Sequence, residues 1–304
     1  MITYLRSTQY RPTIKKREQL QPGSWVRVER PTDDEKSALI ELGMDYDLLH
    51  DALDPHEVPR VELEDGWTYF ITRLPDTDDQ FNDFTTPILF ALGKKHIYTI
   101  SRDNLERIWA PFIDTVKAPT VQKTKFFMLM LEAIATQYQT RVASINRQMR
   151  ATTSDVHRLT SRDITTLTEY ERKLNDYLDA LLSTNVAIEK ILGGRLLSLY
   201  EDDRDLVEDV SIEFEQLIAR CKSLLRTITN VRDSYRAVMD TRLNETIRLL
   251  TVITLALAIP TMFAGLYGMN VDLPGGHWPL TFWIIVFMSV MLAGLLGFYF
   301  LRKR

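Results

Sequence analysis

The side chains that could do chemistry in one stretch of this chain carry almost no charge. Asn244, Thr251, Ala258, Thr261, Gly265 and Gly268 fall at steps of 7, 7, 3, 4 and 3. On a helix of 3.6 residues per turn those positions share one side. That side is small and hydroxyl-bearing inside a segment otherwise rich in Leu and Ile. It runs into the turn "AGLYGMNVDLPGG", residues 264–276, which holds Gly268, Met269 and Asn270 and has Asp272 as its only carboxylate. The groups on offer are neutral amide, hydroxyl and carbonyl oxygens, which accept hydrogen bonds and coordinate. No nucleophile, base and orienter fall in a recognisable arrangement elsewhere, which argues against an enzyme. A small stripe also lets membrane helices pack closely, and the two uses are compatible.

The elements that must hold these residues are two apolar runs. Leu249 to Tyr267 is 19 residues without a charge, and Leu280 to Leu301 is 22 without a charge. About 20 apolar residues at 1.5 Å each cross a hydrocarbon layer of ~30 Å. Two such runs separated by 12 residues fit a membrane hairpin far better than two buried helices of a soluble domain. Arg242 and Arg248 precede the first run, Arg302, Lys303 and Arg304 end the second, and the loop between has no Lys or Arg. The positive-inside rule then puts both termini in the cytoplasm and the loop outside. Trp278 and Trp283 at one end of the second run and Tyr299 at the other suit interfacial anchors.

Upstream, Val210, Phe214, Leu217, Cys221, Leu224, Ile228, Val231, Tyr235 and Val238 repeat every 3.5 positions, a heptad seam. No Pro or Gly interrupts residues 203–259, so one helix is expected from about Asp203 to Tyr267. Residues 120–150 and 160–192 also show helical spacing and supply part of the packing for that seam, with Gly193-Gly194 ending the second. The N-terminal part differs. "SWVRVERPTDDEKSALIELG" reads as a strand, a capping box of Thr32 with Glu35, and a helix. "PRVELEDGWTYFITRL", "TTPILFALG" and "KHIYTIS" read as strands. The expected fold is an α/β or α+β cytosolic domain over 1–115, a helical stalk over 116–248, a first span at 249–267, an external loop at 268–279, a second span at 280–301 and a basic cytoplasmic tail at 302–304. The formal net charge of −4 leaves no global basic footprint for nucleic acid. The single cysteine, Cys221, excludes an internal disulfide framework and a cysteine zinc site. The first 20 residues hold no apolar core of signal-peptide length, so the N-terminus is expected to stay in the cytosol.

Gly268-Met269-Asn270, preceded by Tyr267 and placed just after the first of two C-terminal spans, resembles the signature of the CorA family of magnesium channels. "NETIRLLTVITLALAIPTMFAGLYGMN" is similar to the family's pore helix, and "DALDPHEVPRVE" and the Trp25 to Pro31 spacing are similar to stretches of its cytosolic domain. The resemblance implies a homopentameric funnel in a bacterial-type plasma membrane, its partners being copies of itself, the lipid bilayer and divalent cations. Five first-span helices would line one pore. It further implies Gly268, Met269 and Asn270 as a filter and Mg2+ as the transported and regulatory ion, with Co2+ and Ni2+ as further candidates and no organic cofactor. Mg2+ gives up its waters reluctantly. A ring of neutral amides can hold a hydrated ion through those waters without binding it too tightly to release. Leu250 is the expected apolar gate, because Ala258 stands where the family often has Met.

The mouth departs from many relatives, with "VDLPGGHWP" in place of a Met-Pro-Glu stretch, so ion attraction there is expected to be weaker or to rest on Asp272. Met269, rather than Ile, favours the magnesium branch over zinc-associated relatives. By resemblance Asp209 is a regulatory carboxylate facing Asp76, Asp78 or Asp79 of the next copy. The cluster His50, Asp51, Asp54, His56 and Glu57 reads as a polar loop before a strand. The acidic runs at 76–83 and 201–209 otherwise read as solvated surface. Two other readings stay open: a zinc or other transition-metal transporter of the same fold, and a membrane-anchored sensor or scaffold that conducts nothing.

Overall fold

The computed structural model describes residues 1–77, 83–155, 158–197, 199, 201–269 and 280–302. The N-terminal elements are β1 (Ile2–Thr8), β2 (Arg11–Arg17), β3 (Trp25–Glu29), α1 (Asp33–Glu41), α2 (Tyr46–Asp51), β4 (Arg60–Glu64), β5 (Trp67–Thr77), β6 (Asp83–Leu92), β7 (Ile97–Ser101) and α3 (Glu106–Thr115). Four helices follow: α4 (Lys123–Thr152), α5 (Ser161–Leu192), α6 (Glu201–Tyr267) and α7 (Thr281–Arg302). The strands form one sheet in the order β2-β1-β3-β7-β6-β5-β4. Only β3 and β7 pair in parallel. Alternation decides what covers each face. Val26, Tyr69, Leu89 and Tyr98 turn to the side of α1 and α2. Trp25, Phe70, Phe90 and Ile97 turn to the other side, where Trp109 of α3 and Phe126 and Phe127 of α4 complete a core that continues into α5 and α6. Burial on both faces is why these strands read as near-continuous apolar runs.

Local signals act as read. Thr32 Oγ1 accepts from Glu35 N at 3.3 Å while Glu35 Oε2 accepts from Thr32 N at 3.0 Å, closing the capping box of α1. The β4–β5 turn holds Asp65 and Gly66 at φ 49° and 78°, the backbone a tight hairpin requires. Gly194, at φ 72°, ends the run after α5.

The β1–β2 hairpin is the element the sequence reading passes over. The buried face of β1 is Thr3, Leu5 and Ser7, which carries little apolar periodicity. Ser7 is held instead by polar bonds: its Oγ donates to Ala118 O at 2.5 Å, and its N donates to Thr120 Oγ1 at 3.0 Å.

The chain forms two compact units, Met1–Val231 and Arg232–Arg304. In the first, the heptad seam of α6 is buried by its own chain at Val210, Phe214, Leu217, Cys221, Leu224 and Ile228. The second contains the rest of α6 and α7. Helices long and apolar enough to cross a membrane are found at both places the sequence marks.

Candidate ion pathway

In the second unit α6 and α7 are neighbours that run antiparallel. Near the start of the apolar run the Arg248 guanidinium donates to Phe300 O. Near its end Phe263, Tyr267 and Gly268 share an apolar recess of about 430 Å³ with Phe282, Ile285 and Ser289. Val252 and Ser289 are buried, and Ala256, Ile259 and Phe263 are half-buried. Steps of four, three and four from Val252 to Phe263 mark one helix face, the one turned to α7.

Of the residues singled out for ion contact, Thr251, Ala258, Thr261 and Gly265 lie on the roughly opposite side of α6, Asn244 lies to one flank, and Gly268 also borders the recess shared with α7. Asn244, Thr251, Ala258, Thr261, Gly265 and Gly268 are all exposed. Their hydroxyls are oriented by the helix itself. Thr251 Oγ1 donates to Ile247 O at 2.8 Å and Thr261 Oγ1 donates to Leu257 O at 2.9 Å. Each hydroxyl hydrogen is thereby occupied, and the oxygen presents lone pairs outward. The two threonine oxygens so presented are acceptors, which suits the waters around a cation.

At the end of α6 the helix tightens. Gly268 N donates to Ala264 O at 3.0 Å, and Met269 N donates to Leu266 O at 3.4 Å, an i to i−3 bond. A Cβ on residue 268 would stand 3.0 Å from the Ala264 carbonyl oxygen, so glycine lets the turn close. Met269 is exposed and Leu250 is 64% exposed. Asn270 and Asp272, the two polar residues read into the mouth, lie outside the described residues, as do Asp78 and Asp79.

The regulatory candidates fall in the first unit. Asp209 is exposed on α6. The Glu213 carboxyl is pushed above its ordinary value by burial, with Glu132 and Asp209 adding like-charge repulsion. Asp76 is half-buried on β5, and its Oδ1 accepts from Thr77 N at 2.8 Å. It lines a recess of about 430 Å³ with Asp103, Glu106, Arg30 and Arg107.

One residue of the acidic runs departs from the expected solvated surface. Asp83 is tied to Arg141 at 2.8 Å and Lys173 at 2.9 Å, so it fastens the start of β6 to α4 and α5. No local pattern could have shown this, because the partners are 58 and 90 residues away. The His50–Glu57 cluster is not all loop: His50 and Asp51 end α2, and Asp54, His56 and Glu57 lie in the turn that follows. Arg60 pairs with Asp51 at 2.6 Å and also with Glu57, so both carboxylates are engaged. Among the described residues no group of three or more His, Cys, Asp or Glu is placed to hold a metal ion within one chain.

An α/β sandwich whose last helix continues as the first of two apolar spans defines a two-span membrane protein. Residues 21–304 match the model of the CorA-like Mg2+ transporter proteins, and the chain belongs to that family. It is 23% identical over 287 residues to the cobalt/magnesium transport protein CorA of Methanocaldococcus jannaschii, covering 92% of this chain and 90% of that protein. It is 19% identical over 271 residues to the cobalt/magnesium transport protein CorA of Thermotoga maritima, covering 84% and 75%. The complete structure of the CorA magnesium transporter from Methanocaldococcus jannaschii has the same fold, with a TM-score of 0.86 at 18% identity over 100% of this chain and 98% of that one. The chain is accordingly a membrane protein of a divalent-cation transporter family.

Proposed function

We propose that the protein is a passive uptake channel for hydrated Mg2+, with Co2+ and Ni2+ as further permeant ions, driven by the membrane potential. Five copies surround one pore, α6 lines it, both termini are cytoplasmic, and the 268–279 loop is external. Gly268, Met269 and Asn270 form the filter, with the Asn270 amides accepting hydrogen bonds from the ion's waters, and Asp272 adds charge at the mouth. Leu250 forms an apolar ring that closes by dewetting. Cytosolic divalent ions bridging Asp209 to the 76–79 carboxylates of a neighbouring copy favour the closed state, because they relieve like-charge repulsion there and not in a splayed state. A divalent ion falling through 100 mV gains about 4.6 kcal/mol, a bias of more than about a thousandfold, so no nucleotide site is required.

The observation that carries this reading is the orientation of α6: its small, hydroxyl-bearing face is the one turned away from α7. Cysteine substitution tests it. With Cys221 buried, a charged thiol reagent should block Mg2+ flux in Thr261→Cys and leave Phe263→Cys conducting. Equal block, or block at Phe263 alone, would put the pathway on another face.

A further inference from the structure

Arg6, Arg11, Lys15, Lys16 and Arg17 lie within the first 17 residues, which hold no carboxylate, in a chain of net charge −4. They belong to the β1–β2 hairpin, and β2 is one edge of the sheet. Tyr10, in the turn of that hairpin, is 97% exposed, the highest of the large apolar side chains among the described residues. Lysines on an edge strand commonly keep it from pairing with another sheet, which would account for Lys15 and Lys16 alone. It does not account for an aromatic ring held out at the turn.

The other edge of the sheet has the opposite character. β4 ends in Glu64 with Asp65 in the turn, both exposed. Beside it the Pro55–Pro59 segment faces α5 across a cleft of about 720 Å³. The cleft lining contains four carboxylates, Glu57, Asp83, Asp176 and Asp179, against the guanidiniums of Arg73 and Arg172. Arg73 is already engaged, donating to Thr85 Oγ1, Thr85 O and Glu57 O. Within the lining Glu57 is paired with Arg60, Asp83 with Arg141 and Lys173, and Asp176 with Arg172 at 3.7 Å, which leaves Asp179 as the exposed lining carboxylate outside these ion pairs. Val58 and Leu182 line the same cleft as exposed apolar side chains.

We infer that the β1–β2 hairpin of one copy docks, Tyr10 foremost, in the cleft between α5 and the Pro55–Pro59 segment of the next copy. The inference rests on the homo-oligomeric reading above and adds the surfaces by which copies meet. A basic edge with a protruding aromatic and an acidic edge with an apolar-lipped cleft sit at opposite ends of one sheet. Contacts between unlike surfaces of identical chains are head-to-tail and form rings where the rotation between copies closes. A large rigid aromatic in a pocket is the usual anchor of such a contact, and the flanking charges set register and encounter.

The test uses the full-length protein in lipid nanodiscs. Tyr10→Cys combined with Ser183→Cys, a cleft residue, should give a covalent ladder of subunits under mild oxidation, and neither single variant should. The native Cys221 is buried with its thiol pushed up to about 11, so it stays silent. Independently, in detergent micelles, Lys15→Glu with Lys16→Glu should make the oligomer dissociate on dilution where the parent does not, and adding Asp176→Lys with Asp179→Lys should restore it. An oligomeric parent whose cysteine pair gives no ladder overturns the docking alone. A monomeric parent overturns the homo-oligomeric reading and the docking with it.

Discussion

Between Val207 and Ile228, α6 buries its apolar seam in its own chain; between Leu249 and Tyr267 the same helix buries Val252 alone. The upstream stretch meets α4, α5 and the sheet in one continuous core. The downstream stretch meets α7, and Leu250, Ile253, Leu257, Met262 and Leu266 remain uncovered. A soluble chain that left such residues open would aggregate. Here the difference reflects two solvents. In water the seam gains by leaving solvent. In hydrocarbon an exposed Leu costs nothing, and the groups that must be satisfied are polar ones. One stretch is therefore complete in a single chain, and the other leaves its apolar side chains for a hydrocarbon surrounding to cover.

Substitutions can break or sharpen that contrast. The largest effect is expected at the end of the downstream stretch. Asn270→Ala should abolish Mg2+ uptake in reconstituted liposomes while the gel-filtration profile matches the parent's, because under the proposed function it removes the amides that hold the ion's waters. Undiminished uptake by the assembled variant would remove the filter assignment. In the upstream stretch the loss should be of stability. Phe214 is fully buried, and Phe214→Ala should cost about 3–5 kcal/mol, or roughly 10 °C in thermal midpoint. Leu257→Ala in the downstream stretch should leave the midpoint nearly unchanged; equal losses at both would erase the distinction.

Smaller effects separate gating from folding. Leu250→Asn should wet the constriction and raise the Mg2+ leak at high internal Mg2+; an equally tight variant would move the gate to another ring. Asp209→Lys should reduce the protection that Mg2+ gives the cytosolic region against limited proteolysis, and the same protection in variant and parent would exclude Asp209 from the sensor. The smallest effect concerns Glu213. Its carboxyl is raised by burial and by Glu132 and Asp209, so its contribution to stability is greatest when protonated and is lost as pH rises through the raised value. Glu213→Gln should therefore increase the thermal midpoint at pH 7, with the gain shrinking toward pH 4. A gain that grows on acidification would mean that the sign is wrong.

How much of this was legible in the sequence depends on which force set each feature. The two spans were legible because a bilayer demands length and apolarity from consecutive residues. The central strands were legible because both of their faces are apolar. β1 was not, because its buried face is Thr3, Leu5 and Ser7, held by bonds to Ala118 and Thr120 over a hundred residues away. The tie of Asp83 to Arg141 and Lys173 was hidden for the same reason: long-range ion pairs leave no local period. The candidate ion face of α6 was legible because 3.6-residue geometry alone places its members together, and its orientation away from α7 needed the structure.

The central claim is that α6 carries a cation down its electrical gradient. Its most direct measurement is Mg2+ flux into liposomes holding the protein, with the interior set about 100 mV negative and no nucleotide or pH gradient present. The account predicts Mg2+ entry that rises with the imposed potential, stops when the potential is collapsed, and is shared by Co2+ and Ni2+. Entry of Zn2+ alone, entry that requires a proton gradient, or no entry of any divalent ion from correctly assembled protein would contradict it.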